Sequence, residues 1–146
     1  MPRQHFRKIN LGPNGETFNP TLKAPEKNNV EEDCKKLRDA MKGLGTNEDA
    51  LIEVLGHRNI EQRLDIRDEY KSLFGQDLMD RLNSELSGNF RSIMKMLVME
   101  PQFISARALY KAMKGGGTKE SVIVEVLCTS TNREIEAIKE AYLQDE

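Results

Sequence analysis

Apolar residues recur along the chain at spacings of three and four, the mark of one buried helix face rather than of a strand. Val30, Cys34, Leu37 and Met41 form the first such stripe, and Asn29 with Glu32 three places on predicts a capping box at its start. Gly43 and Gly45 follow, which predicts a tight non-helical turn. A second helix is expected with Thr46 as its cap, Glu48 and Asp49 in a first turn where the dipole favours negative charge, and Leu51, Val54 and Leu55 facing inward. A third begins near Asn59, turns Ile66, Tyr70, Leu73 and Phe74 inward and stops at Gly75. Leu78, Leu82 and Leu86 mark a short fourth helix, and Phe90, Ile93, Met94 and Leu97 a fifth after Ser87 and Gly88. Pro101 stands where proline opens a new helix.

The pattern then restarts. An offset of 72 carries Leu37, Ala40, Met41, Lys42, Gly43, Gly45, Thr46 and Glu48 onto Leu109, Ala112, Met113, Lys114, Gly115, Gly117, Thr118 and Glu120. The same offset carries Glu53, Val54 and Leu55 onto Glu125, Val126 and Leu127, and Ile66 and Tyr70 onto Ile138 and Tyr142. Apolar periodicity alone does not restore Lys, Gly, Thr and Glu at one offset, so the chain contains a repeat. The expected organisation is all-α. Residues 1–28, with four of the five prolines, read as a flexible tail; residues 29–100 form one five-helix repeat, and 101–146 a partial second one that reaches only its third helix.

Composition narrows the partners. Twenty-two basic and 24 acidic residues leave a net charge of −2, so bulk positive charge is not available for nucleic acid. An anionic partner would need a bound divalent cation to bring it in. No window is apolar enough to cross a bilayer, and Met1 to Phe18 lacks the apolar run of a secretory signal, which makes any membrane contact peripheral. Cys34 and Cys128 form no CxxC pair and read as buried free thiols, in keeping with a reducing, cytoplasmic setting. No nucleophile with a base in sequence context, P-loop, HExxH or EF-hand loop is present, so catalysis has no candidate and the chain is read as a non-enzyme.

The duplicated segment Met41-Lys42-Gly43-Leu44-Gly45-Thr46 is where chemistry concentrates. Two glycines so close together let the backbone curl until several carbonyls point one way, an arrangement that a hard cation such as calcium accepts. Neutral carbonyls alone hold calcium poorly. Glu85, at the end of the fourth helix and separated from Thr46 by 38 intervening residues, is the carboxylate expected to reach in. A lone glycine turn between helices is ordinarily only a turn; the duplicate and the matched Glu85 are what favour a metal site here.

GxGT followed after 38 residues by Asp or Glu resembles the calcium-binding signature of the annexin family. The flanks Arg58-Asn59-Ile60-Glu61-Gln62-Arg63, Leu73-Phe74-Gly75-Gln76-Asp77-Leu78 and Ser84-Glu85-Leu86-Ser87-Gly88 resemble it too, and the likeness runs from about Val30 to Glu146. It implies five-helix repeats, four in a complete annexin, arranged as a curved disc whose convex face carries calcium bridging to phospholipid head groups. By position, the carbonyls of Met41, Gly43 and Gly45 with a bidentate Glu85 would hold the main ion, and the Thr46 carbonyl with Glu48 a weaker one. In the second repeat Met113, Gly115 and Gly117 would supply the loop, with Thr118 and Glu120 as counterparts of Thr46 and Glu48; the position one period after Glu85 lies outside the sequence. A further type of family site wants an acid where this chain has Arg91.

The expected function is therefore calcium-dependent, peripheral attachment to anionic phospholipid surfaces, with Lys42 and Lys114 placed to meet head groups. The residues themselves leave two other readings open. One is a helical protein-interaction module, with the tail as a segment for a protein partner and calcium incidental; the other is a fragment without membrane activity. Glu48 and Glu120 also have an ordinary explanation as first-turn acids.

Overall fold

The structure, a computed structural model, describes residues 23–144. Among the described residues there are eight helices and no strand: α1 (Val30–Ala40), α2 (Glu48–Leu55), α3 (Ile60–Phe74), α4 (Leu78–Glu85), α5 (Gly88–Leu97), α6 (Pro101–Met113), α7 (Glu120–Thr129) and α8 (Asn132–Gln144). The contacts divide them into two compact units, the first ending at Val98 and the second beginning at Met99.

In the first unit α1 packs on α2 and α3, α4 lies against α3 and α5, and α2 touches α5. The stripes at helical spacing meet in one core. Cys34, Leu37, Met41, Leu51, Val54, Leu55, Ile66, Tyr70, Leu78, Leu82 and Leu86 are all buried in it, joined by Met94 and Val98. Tyr70 stands edge-on to Phe74 at 4.8 Å between ring centroids, and the Arg38 guanidinium lies 4.3 Å from the centre of the Phe74 ring, so α1 covers the end of α3 with a cation over an aromatic face. Two positions read as inward, Leu73 and Ile93, are instead exposed. Ile93 lies at the edge of the α5 stripe, rotated toward solvent from the buried Met94, whereas Leu73 shares the face of Ile66 but sits in the last turn of α3, one residue from its end.

Helix starts are defined by side chains that satisfy unpaired backbone N–H groups. Asn29 accepts from the Glu32 N–H at 3.2 Å, but the Glu32 carboxylate turns toward Lys36 at 3.6 Å instead of closing the predicted box. Asn59 and Gln62 do form a full capping box on α3: Gln62 N–H donates to Asn59 Oδ1 at 2.9 Å and Asn59 N–H to Gln62 Oε1 at 3.1 Å. One period later Thr131 and Glu134 repeat it, with Thr131 N–H on Glu134 Oε2 at 2.7 Å and Glu134 N–H on Thr131 Oγ1 at 3.3 Å. Thr46 does not cap α2. That position belongs to Asn47, whose Oδ1 accepts from the Ala50 N–H at 3.1 Å. Thr118 likewise precedes the α7 cap, which is Lys119 and makes no side-chain cap bond.

In the second unit α6 packs on α7 and α8 as α1 does on α2 and α3. Its smaller core gathers Ala106, Leu109, Ile138 and Ala141, with Phe103, Ile123, Val126 and Tyr142 packed against it. Met113 and Leu127 are exposed, unlike their buried counterparts Met41 and Leu55. Cys128, read from sequence as buried, is exposed, whereas Cys34 is buried as expected. Cys128 occupies the place of Gly56, the residue that closes α2, and so lies at the helix end and outside the apolar stripe.

Most of the segment assigned to a tail, residues 1–22, falls outside the described residues. Its last part is not helical yet is tied to the first unit: the Pro25 carbonyl accepts from Gln62 Nε2 at 2.7 Å, and Asn28 Nδ2 donates to Asp33 Oδ2 at 3.0 Å.

Candidate functional site

The loop from Met41 to Thr46 is closed at its base by Asn47 N–H donating to the Ala40 carbonyl at 2.8 Å. Between these points the chain must reverse quickly. Gly43 (φ 99°) and Gly45 (φ 88°) take backbone conformations that L side chains rarely adopt, so this path requires glycine at both places. Lys42, Gly43, Leu44 and Gly45 are all exposed, and among the described residues neither the Gly43 nor the Gly45 carbonyl accepts a backbone hydrogen bond.

Glu85, the last residue of α4, meets this loop from across the first unit. Thr46 Oγ1 donates to its Oε2 at 3.5 Å, although 38 residues lie between the two in sequence. Arg81, one turn earlier on α4, holds the other carboxylate oxygen: its Nη2 is 3.0 Å from Glu85 Oε1. The same Nη2 donates to the Met41 carbonyl. Both side chains are partly sheltered, Glu85 at 20% and Arg81 at 28% exposure. Met41 anchors the loop by burying its side chain in the core while its carbonyl faces Arg81.

The donor chemistry fits a hard cation. Among the described residues no three His, Cys, Asp or Glu side chains gather as a metal-holding group. The loop offers instead neutral backbone oxygens and one carboxylate, a set suited to calcium and unsuited to metals that select nitrogen or sulfur. Glu48 stands exposed as the first residue of α2, next to the Asn47 cap, and Thr46 is half-buried.

The second loop repeats the closure, with Lys119 N–H on the Ala112 carbonyl at 2.9 Å and with Gly115 (φ 115°) and Gly117 (φ 126°) in the same unusual conformations. It differs in two respects. Gly117 N–H donates to the Gly115 carbonyl at 3.1 Å, engaging an oxygen whose counterpart in the first loop is not used in this way, and Lys114 lies over the Tyr110 ring at 5.0 Å. Thr118 and Glu120 are exposed.

Two residues at the first loop were not singled out from sequence. Arg81 and Glu85 are four apart on a helix, which reads as an ordinary surface pair, and nothing in the sequence reveals the Met41 carbonyl as a third partner. Leu44 is the other, a leucine at the loop tip with 109% relative exposure.

The annexin family model matches residues 32–97 and 104–145. The chain belongs to the annexin family. It is 56% identical over 132 residues to annexin A13 of Schistosoma japonicum, covering 90% of this chain and 37% of that protein, and 52% identical over 119 residues to human annexin A13, covering 82% and 38%. It thus spans under two-fifths of the length of these relatives. Among solved structures it resembles calcium-bound annexin (Sm)1 with a TM-score of 0.84 at 39% identity, covering 89% of this chain and 37% of that one. Chicken annexin V gives a TM-score of 0.77 at 41% identity, with 86% and 40% covered. Eight helices without a strand, among the described residues, are the annexin fold in part.

Proposed function

We propose that this chain attaches peripherally to anionic phospholipid membranes in the presence of calcium, through the Met41–Thr46 loop and Glu85, and that it acts by binding and not as an enzyme. The observation that carries the reading is the meeting of Glu85 with Thr46, which joins a carboxylate from α4 to the exposed glycine loop. No described helix is long and apolar enough to cross a membrane, in keeping with attachment from one side.

In this reading the carbonyls of Met41, Gly43 and Gly45 and the Glu85 carboxylate hold the main ion, with Thr46 and Glu48 as a weaker neighbouring site. Met113, Gly115, Gly117, Thr118 and Glu120 form the corresponding part of the second loop. A bound calcium ion would supply the positive charge that a chain of net −2 lacks. Glu85 contributes the only formal negative charge to the main site, so lipid-free affinity should be low, on the order of 10⁻⁴–10⁻³ M. A head-group phosphate completing the ligand shell strengthens ion binding, and by linkage the ion strengthens lipid binding by the same factor.

Sedimentation with phosphatidylserine vesicles, in calcium and in chelator, tests the reading. The parent chain should pellet only with calcium. Glu85→Gln keeps size and helix propensity but removes the charge, and should raise the calcium needed about tenfold or more, since charged ligands dominate such sites. Glu53→Gln, on α2 away from the loop, is the control. Equal calcium requirements in the parent and both variants would remove Glu85 from the site and the reading with it.

A further inference from the structure

We infer that Arg81 is a tethered cation that fills the loop site when calcium is absent and thereby sets the calcium concentration at which the site loads. The inference rests on the metal-site reading above and adds a regulator to it.

The geometry is that of a built-in competitor. A single guanidinium nitrogen, Nη2 of Arg81, contacts both the Met41 carbonyl and Glu85 Oε1, while the Thr46 hydroxyl donates to Glu85 Oε2. Two of the oxygens assigned to the ion, one from the loop and one from α4, are thus already drawn onto one positive group. An anionic carboxylate beside carbonyl dipoles stabilises whatever cation stands between them. Here that cation is part of the chain, carried on the same helix as Glu85 and one turn from it, so its effective concentration at the site is high.

Arg81 must swing away, breaking its hydrogen bonds to Met41 and Glu85, as the ion enters. At 28% exposure it has a path to solvent and a long flexible stem to follow it. The site then has two exclusive occupants, and its apparent affinity for calcium is reduced by the fraction of molecules in which Arg81 is in place.

The contrary possibility is specific. If Arg81 instead holds Glu85 in a calcium-ready pose, its removal will weaken calcium binding. Thermal melts of the lipid-free 146-residue chain at stepped calcium concentrations separate the two, because an ion that binds only the folded state raises the melting temperature once its concentration exceeds its dissociation constant, and further with the logarithm of their ratio. Arg81→Met removes charge and donors while keeping an apolar stem. Arg81→Gln retains an amide donor for the Met41 carbonyl and serves where the methionine variant folds poorly. In chelator both should melt below the parent. In calcium both should be stabilised at concentrations about five- to tenfold lower, the effect of removing a competitor held by charge-assisted hydrogen bonds. A calcium requirement unchanged or raised in the Arg81 variants, with Glu85→Gln still raising it, overturns the inference and leaves the site intact. If Glu85→Gln has no effect either, the site reading itself fails, and this inference falls with it.

Discussion

Arg58 grips Asp33 with two parallel hydrogen bonds, Nε to Oδ2 at 2.8 Å and Nη2 to Oδ1 at 2.7 Å, joining the turn before α3 to the first turn of α1. The Asp33 side chain is 3% exposed and that of Arg58 16%. Asn28 donates a third bond to the carboxylate and the His57 carbonyl takes one from the guanidinium, so the charges are paired and largely satisfied. The Arg58 guanidinium is held above its usual pKa chiefly by the bond to Asp33.

Breaking this pair from one side should be costly, because it strands a sheltered charge. Asp33→Ala is expected to destabilise the first unit by about 3 kcal/mol. The measurement is the urea midpoint at unchanged m. The Asp33→Ala, Arg58→Ala double variant should cost less than the sum of the singles. The second unit has Ser105 and Ser130 at these two places and cannot form the clamp. A loss within about 0.5 kcal/mol, typical of a surface pair, would show the bridge to be ornamental.

Much of this was legible in the residues. The helical stripes located the five helices of the first unit, and the 72-residue offset placed three more after Pro101 and revealed that the glycine loop occurs twice. The meeting of Glu85 with the loop followed from a spacing peculiar to the annexin signature, since periodicity alone does not bring α4 to the α1–α2 turn. Helix starts were harder to read. Thr46 has the chemistry of a cap, but the loop needs one more residue to close on Ala40, and Asn47 takes the role. The boxes at Asn59 with Gln62 and Thr131 with Glu134 fit the rule of a short polar residue with Glu or Gln three places on, but the same rule also fits Asn29 with Glu32, where the box was expected and does not close. Arg81 was not readable. Its role depends on a backbone carbonyl 40 positions away, and carbonyls carry no mark in a sequence.

The two thiols should differ sharply in reactivity. Cys34 is buried and donates to the Ile66 carbonyl at 3.4 Å, and burial, assisted by the nearby Glu69, Asp33 and Glu31, pushes its pKa up to about 12. Cys128 is exposed at the end of α7. Iodoacetamide at pH 8 should therefore label Cys128 in the native chain and Cys34 only after unfolding, because the thiolate is the nucleophile. The raised pKa also gives a pH dependence. The folded state binds the Cys34 proton more tightly than the unfolded state, so this contribution to stability is complete below pH about 9 and is lost as pH rises toward 12. Native labelling of both thiols at equal rates would mean that α1 and α3 separate readily.

Leu44 has no packing role that the fold explains, since its side chain projects fully into solvent between Gly43 and Gly45. Single exposed leucines are common and mean little by themselves. This one stands at the tip of the loop proposed to meet a membrane, where an apolar side chain can enter the boundary between head groups and acyl chains. Burying a leucine is worth about 1.5–3 kcal/mol, and partial insertion a good part of that, so Leu44→Ser should weaken vesicle binding at saturating calcium by about tenfold. Its lipid-free calcium requirement and melting temperature should stay those of the parent, because the fully exposed side chain offers no oxygen to the proposed ion site and takes no part in the core. The second loop supplies the reciprocal experiment. Gly116 occupies the place of Leu44, and a Cβ added there meets nothing within 4 Å. Gly116→Leu should therefore be accommodated and should raise vesicle affinity in calcium while leaving the chain unbound in chelator. Leu44→Ser pelleting with vesicles as well as the parent, at the same saturating calcium, would mean that the loop tip stays in water.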